Sequence, residues 1–226
     1  SKRFTTSPDL IERVAAKFGF AAAAQTVHAV DQVSFSIAAG EVIGLVGESG
    51  CGKSTLGRVI AGLHKATEGE VLFQGQPLNY APGVRPTIQM IFQDPFASLN
   101  PRKRVGDAIV EAPIAHGLIA ASQAKEQAAQ LLEQVGLDAS YVRRFPHQFS
   151  GGQRARIGIA RALAVQPTLL VCDEAVAALD VSIQAQVLNL FMELRERLSL
   201  TYLFISHDLG VVRHIADRVV VMYLGR

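Results

Sequence analysis

Residues 42–63 read VIGLVGESGCGKSTLGRVIAGL. A short apolar run ends at Gly47, a loop rich in glycine and serine follows, and a new apolar periodicity begins near Lys53. That order predicts strand, loop, helix. The loop GESGCGKST at 47–55 satisfies G-x-x-x-x-G-K-[ST] from Gly47 through Gly52, Lys53 and Ser54. Gly47, Ser49, Gly50, Cys51 and Gly52 give a backbone able to wrap phosphates with its N–H groups, and the helix start adds a field that favours anions. Lys53 would neutralise the β- and γ-phosphates, and the Ser54 hydroxyl would hold Mg²⁺. A glycine turn with a chance lysine is the bland alternative, and the strand–loop–helix setting weighs against it.

Upstream, VHAVDQVSFSI places Val33, Phe35 and Ile37 on alternate positions, as in a half-buried strand. Residues 1–26 offer no period to read and are taken as an N-terminal segment or linker. Downstream, EVLFQG at 70–75 and TIQMIFQDP at 87–95 read as strands. The character then changes. A helical subdomain over roughly 95–165 is expected, within the usual size of such an insertion. Ser122 is expected to cap one of its helices and Gly136 to end it. Strand signals resume with TLLVCDE at 168–174. A helix with Ile183, Val187, Leu190, Leu194 and Leu198 on one face follows, then TYLFISHD, LGVVRHIA and DRVVVMYLG. Alternating strands and helices predict an α/β core with a largely parallel sheet.

TLLVCDE ends in Asp173-Glu174. A carboxylate at the C-terminal end of a parallel strand, beside a phosphate loop, suits Asp173 to Mg²⁺, and Glu174 is then placed to take a proton from an attacking water. An acidic pair that merely ends a strand is the alternative, favoured if the phosphate loop were absent. Gln93 and His207 are single residues that also follow strands. Gln93 fits a contact to Mg²⁺ or the water, and His207 one to the γ-phosphate. FSGGQ at 149–153 opens another helix with glycines but has no lysine.

Composition narrows the setting. Of 226 residues, 22 Lys+Arg against 20 Asp+Glu leave +2, too weak a field to invite nucleic acid. Cys51 and Cys172 fit neither a metal spacing nor a disulfide framework, which suggests a reducing compartment. The opening SKRFTTSPDL lacks the apolar stretch of a secretory signal, and the longest apolar runs fall well short of the roughly 20 residues that span a bilayer.

GESGCGKST, Gln93, FSGGQ, LLVCDE, AALD at 177–180 and His207 occur in the order found in ATP-binding cassette (ABC) ATPases, which the chain resembles from about residue 27 to its end. QDPFASLNPRKRVGD, PHQFSGGQ, VSIQAQVLNL and SHDLGVVRHIADRVVVMYLGR resemble the ATPase subunits of the dipeptide/oligopeptide/nickel importer branch. The resemblance implies a P-loop NTPase core of mainly parallel sheet, an N-terminal antiparallel β part and an inserted α-helical subdomain. It implies an ABC ATPase domain over 27–226 and a C-terminal extension beyond it. It further implies ATP and Mg²⁺ as ligands, with Thr55 at the α-phosphate and Asp180 in a loop linking two active sites. An upstream aromatic, Phe18 or alternatively Phe20, would stack on adenine. Two cassettes would close head-to-tail, with Ser150, Gly151, Gly152 and Gln153 facing the partner's ATP. The implied partners are a second cassette, two integral-membrane permease subunits and an extracytoplasmic solute-binding protein, with the chain peripheral on the cytoplasmic face of the cell membrane. Ala175, Ala178 and Phe149 depart from the family's usual Pro, Ser and Leu, and none removes a charge that hydrolysis needs. A non-transport ABC ATPase and a cassette that only binds ATP are the rivals; intact Lys53, Asp173, Glu174 and His207 speak against the second.

Overall fold

The computed structural model describes residues 1–5, 26–78, 88–94 and 99–226. Five strands form one parallel sheet: β3 (Val42–Gly47), β6 (Ile88–Ile91), β7 (Leu169–Asp173), β8 (Thr201–Ile205) and β9 (Arg218–Met222), in the order β6-β7-β8-β3-β9. Their apolar continuity has a direct cause. Helices cover both faces, so β3, β7 and β8 bury nearly every residue. The register aligns Leu45 with Ile205 and Ile205 with Asp173, so these strands end together at one edge. In such a sheet that edge is where ligands bind.

On one face lie Ile43, Leu45, Met90, Val171, Leu203 and Ile205, covered by helix α1 (Lys53–Ile60). On the other, Leu170, Cys172, Tyr202 and Phe204 meet a larger core. Phe191 packs edge-on against both Tyr202 and Phe204, and the Tyr202 hydroxyl donates to the Phe191 carbonyl at 2.9 Å. Within the helical stretch, α2 (Val105–Ala115), α3 (Ala124–Gln134) and α4 (Gly151–Leu163) pack on one another. Two further helices follow among the described residues, α5 (Val181–Leu198) and α6 (Leu209–Ile215).

Several expectations change in detail. Val33, Phe35 and Ile37 do alternate in burial, yet their segment joins no ladder among the described residues; alternation reports burial, not backbone pairing. The paired strand is β2 (Thr26–Val30), antiparallel to β1 (Lys2–Thr5) in the segment where no strand was expected. EVLFQG is not one strand. It turns at Gln74-Gly75, both with φ above +50°, into the hairpin β4 (Leu72–Phe73) and β5 (Gln76–Pro77). Ser122 does not cap α3. The Gln123 side chain reaches back to the Ala120 N–H at 3.1 Å and winds a turn of 3₁₀ helix ahead of it. Gly136 does end α3, with Leu137 N–H bonded to Leu132 and Gly136 N–H to Glu133. On α5, Val187, Leu190 and Leu194 are buried, whereas Ile183 is half-buried and Leu198 exposed, because the sheet supports only the middle turns.

Candidate active site

The loop between β3 and α1 is held in shape by its own lysine. Lys53 is 5% exposed, and its Nζ donates to the carbonyls of Gly47 and Glu48 at 2.8 Å each. An ammonium has three protons, and the third meets only the weak acceptor Cys51 Sγ at 3.9 Å, which a phosphate oxygen would replace. Gly52 precedes α1 at φ 105° with no side-chain cap, which leaves the first N–H groups of the helix open to an anion. From outside the loop, Gly225 N–H bonds the Cys51 carbonyl at 3.0 Å. Asp31 N–H in turn bonds the Gly225 carbonyl, and the Asp31 carboxylate takes Arg226. No sequence signal marked this clamp, because it joins residues far apart in the chain.

A cavity of about 460 Å³ opens over the loop, walled by residues 49–55 together with His28, Gln93, Glu174 and Gly225. Thr55 is among these lining residues. A smaller cavity of about 280 Å³, lined in part by Arg104, Lys125 and Arg143, lies among the helices and includes none of these groups.

At the sheet edge, Ser54 donates to Asp173 Oδ1 at 2.8 Å. Burial pushes the Asp173 carboxyl above its usual range, against the pull of the Ser54 hydroxyl and the nearby Arg58 and Lys53. The Ser54 hydroxyl and the buried Asp173 carboxylate offer oxygen donors only, and Gln93 stands with Ser54 on the cavity wall. Such donors suit Mg²⁺, an ion that takes one or two carboxylates and completes its shell with phosphate and water. Glu174 follows in the left-handed region at φ 50°, its N–H bonded to the Ile205 carbonyl at 3.0 Å. That bend aims its carboxylate away from the strand. Gln93 Nε2 donates to Oε2 at 2.8 Å, and His207 Nδ1 lies 3.2 Å from Oε1. Gln93, Glu174 and His207, from three strand ends, thus meet around one carboxylate.

Ser150–Gln153 take no part in this cavity. Ser150 caps α4 instead: its hydroxyl accepts from Gln153 N–H at 3.3 Å while the Gln153 side chain accepts from Ser150 N–H at 3.0 Å. The Ser150 hydroxyl proton stays free to donate elsewhere. Asp180 is the exposed cap position of α5 and also lies outside the cavity. Phe18 and Phe20 lie outside the described residues. Among the described residues, Phe4 is an aromatic paired in register with Val27, which lines the cavity beside His28, and its ring packs edge-on against His64 with centroids 5.6 Å apart. Its ring is 38% exposed, with Lys2 Nζ 5.0 Å from its centroid. Cys51 and Cys172 are both free and buried. Among the described residues no helix is long and apolar enough to cross a membrane.

Comparison with known proteins gives a consistent picture. The ABC transporter family matches residues 30–177. The oligopeptide transport ATP-binding protein AppF of Bacillus subtilis is 58% identical over 206 residues, 88% of this chain and 63% of that protein. The dipeptide transport ATP-binding protein DppF of Escherichia coli is 48% identical over 223 residues, covering 96% of this chain and 67% of its own. The chain thus spans about two thirds of the length of these relatives. Among solved structures, cbiO1 of Clostridium perfringens, part of the ABC transporter complex cbiONQ, superposes with a TM-score of 0.77 at 29% identity over 88% of this chain and 79% of that one. The ATP-binding cassette MJ0796, a dimer bound to ADP and phosphate, gives 0.77 at 27% identity over 91% of both chains.

Proposed function

The chain belongs to the ABC transporter family, and from that premise we propose that it is an ATP-hydrolysing subunit powering import of peptides or a similar small solute across the cytoplasmic membrane. ATP lies between two head-to-tail cassettes. One observation carries this reading: Lys53, Ser54, Gln93 and Glu174 line one cavity, with Asp173 bonded to Ser54 and His207 beside Glu174, whereas Ser150–Gln153 stand apart from it. The SGGQ loop has donors and a helix start but no cation. A partner's phosphate loop supplies one.

The division of labour follows from the geometry. The N–H groups at the start of α1 and the third proton of Lys53 bind the phosphates. Ser54, Asp173 and Gln93 would hold Mg²⁺, which when bound neutralises charge on the β- and γ-phosphates. Glu174 accepts a proton from a water as its oxygen attacks the γ-phosphorus, and the bond to the β-phosphate oxygen breaks, releasing ADP and phosphate. His207 holds the Glu174 carboxylate and presents its far ring edge to the γ-phosphate. Ser150, Gly151, Gly152 and Gln153 bind the partner's ATP, and Asp180 lies in the loop joining the two sites. The adenine-stacking ring is assigned to Phe4 in place of Phe18 or Phe20, because Phe4 pairs with Val27 on the cavity wall. The similarity to AppF and DppF, oligopeptide and dipeptide transport ATP-binding proteins, supports a peptide-type solute. In this reading two permease subunits and a solute-binding protein are the partners, and the chain sits peripherally on the cytoplasmic face of the membrane.

The test uses size-exclusion chromatography of the Glu174→Gln chain. ATP should drive it into a stable dimer that cannot turn over, and adding Ser150→Arg should keep it monomeric while each chain still binds nucleotide. A Glu174→Gln chain that stays monomeric with ATP, or a Ser150→Arg variant that still dimerises, would falsify the shared-site reading.

A further inference from the structure

Gly152 stands where α4 meets α5, and the space there is defined by one atom. A Cβ at Gly152 would lie 2.4 Å from Ile183 Cγ2, while the next nearest atom, Ile183 Cβ, is at 3.8 Å. A Cβ at Gly151 would touch Leu179 Cδ2 at an ordinary 3.6 Å. Gly151 and Gly152 therefore rest against Leu179, just before Asp180, and Ile183, in the first turn of α5, and one methyl sets the closest approach.

Leu179 and Ile183 lie on the stretch of chain that follows the chain's own base, Glu174. Ala177 N–H bonds the Glu174 carbonyl at 3.0 Å, and Leu179 N–H bonds the Val176 carbonyl at 3.1 Å. The Gln184 side chain donates to the same Val176 carbonyl at 3.4 Å, and Gln184 N–H bonds Asp180 at 2.8 Å to start α5. Successive turns of hydrogen-bonded backbone thus connect Glu174 to the first turn of α5, and packing continues from Ile183 to Gly152.

We propose that Ile183 is a positioning residue for the partner's ATP: its Cγ2 methyl is the stop against which the SGGQ loop seats, locking that loop to the turn that carries this chain's Glu174. This rests on the shared-site reading above. Closure on a γ-phosphate demands sub-ångström placement of the Ser150 and glycine donors, and Gly152 admits no side chain because the stop lies directly beneath it. A shift of Glu174 and its turn in one site is then passed to the loop that grips the other.

The stereochemistry supplies the test. Alanine is a better helix former than glycine, so Gly152→Ala acts on the contact and not through loss of helix. With the full chain at saturating ATP, Gly152→Ala should lower turnover by about 100-fold, the scale of an ångström misplacement, while ATP affinity of the monomer stays unchanged. Leucine lacks the Cγ2 methyl and valine keeps it. Gly152→Ala with Ile183→Leu should recover at least about tenfold of the loss, and Gly152→Ala with Ile183→Val should recover none. Equal recovery by both, recovery by neither, or no loss in Gly152→Ala overturns the proposal. ATP-driven dimerisation of Glu174→Gln, run alongside, separates the two failures: if it is absent the shared site itself fails, and if it is present only the role of Ile183 does.

Discussion

Ser54 and Asp173 are joined by a 2.8 Å hydrogen bond across 119 residues of sequence, tying the start of α1 to the end of β7. The bond does not make Asp173 a comfortable carboxylate. Burial dominates and raises its pKa, so its charged form opposes folding near neutral pH. Asp173→Asn removes that charge at nearly constant volume. Melting of the nucleotide-free chain should move to higher temperature, while Mg²⁺-dependent hydrolysis falls by about 100-fold or more. Calorimetry and a phosphate-release assay read the two effects. A variant that loses activity and stability together would mean that Asp173 is structural.

Lys53 serves the loop before it serves a ligand. Removing its side chain in Lys53→Ala frees two carbonyls, at Gly47 and Glu48, that now take Nζ. The expected cost is about 1–3 kcal/mol of stability even without nucleotide. ATP affinity should fall by roughly 100-fold, the equivalent of one charge-assisted contact. Titration calorimetry of the monomer checks it, and undiminished binding would contradict the phosphate-loop assignment.

Gly50 and Gly52 separate two reasons for glycine within one loop. Both have positive φ, 80° and 105°. A Cβ at Gly50 meets nothing within 4 Å, whereas one at Gly52 would lie 2.1 Å from the Ala29 carbonyl oxygen on β2. Gly50→Ala should cost only backbone strain, about 1–3 kcal/mol. Gly52→Ala should in addition push α1 off β2 and abolish ATP binding. Comparable binding by the two variants would show that β2 does not buttress the loop.

Much of this was legible in the sequence because the deciding features are local. GESGCGKST carries its own geometry, and β3, β7 and β8 are apolar enough to mark themselves as buried strands. Gln93, Glu174 and His207 meet, as their places after strands lead one to expect, because in a parallel sheet every strand delivers its last residues to one edge. What escaped is what depends on partners distant in the chain. Val33, Phe35 and Ile37 show a strand's burial without its pairing, and β1 is too short to display a period. The seating of Gly152 on Ile183 and the bond from Gly225 to Cys51 have no local signature, since each exists only once helices and strands have packed.

Phe4, proposed above to stack on adenine, pairs with Val27 on the cavity wall and is 38% exposed, with Lys2 over its ring and His64 against it. Base–aromatic stacking is worth about 1–3 kcal/mol, so Phe4→Ala should weaken ATP binding by roughly 5- to 150-fold. Phe18→Ala and Phe20→Ala should leave it within about twofold. Fluorescent-nucleotide titration of the three variants decides among the rings, and a loss confined to Phe18→Ala or Phe20→Ala would return the role to the upstream segment.

Acid stability turns on two carboxylates at the opposite end of the sheet. At Glu41, the Arg218 side chain and then the Ala38 N–H hold the carboxyl below its usual range. At Asp217, burial alone would raise the carboxyl, but the Val42 N–H and the Arg195 guanidinium outweigh it, and the net shift is down. Both folded pKa values are depressed, so the unfolded chain binds more protons as pH falls through about 4, where free carboxyls titrate. Their contribution is complete above that point and is lost as pH drops toward the folded values. Asp217 has a side chain 45% exposed, so solvent limits its pairing to about 1 kcal/mol or less. Arg195→Gln should therefore destabilise the chain at pH 7 and differ less from the parent at pH 3. Urea unfolding at the two pH values measures the difference. An equal deficit at both would assign the effect of Arg195 to its bond with the Gly40 carbonyl, at 2.9 Å, and not to the ion pair.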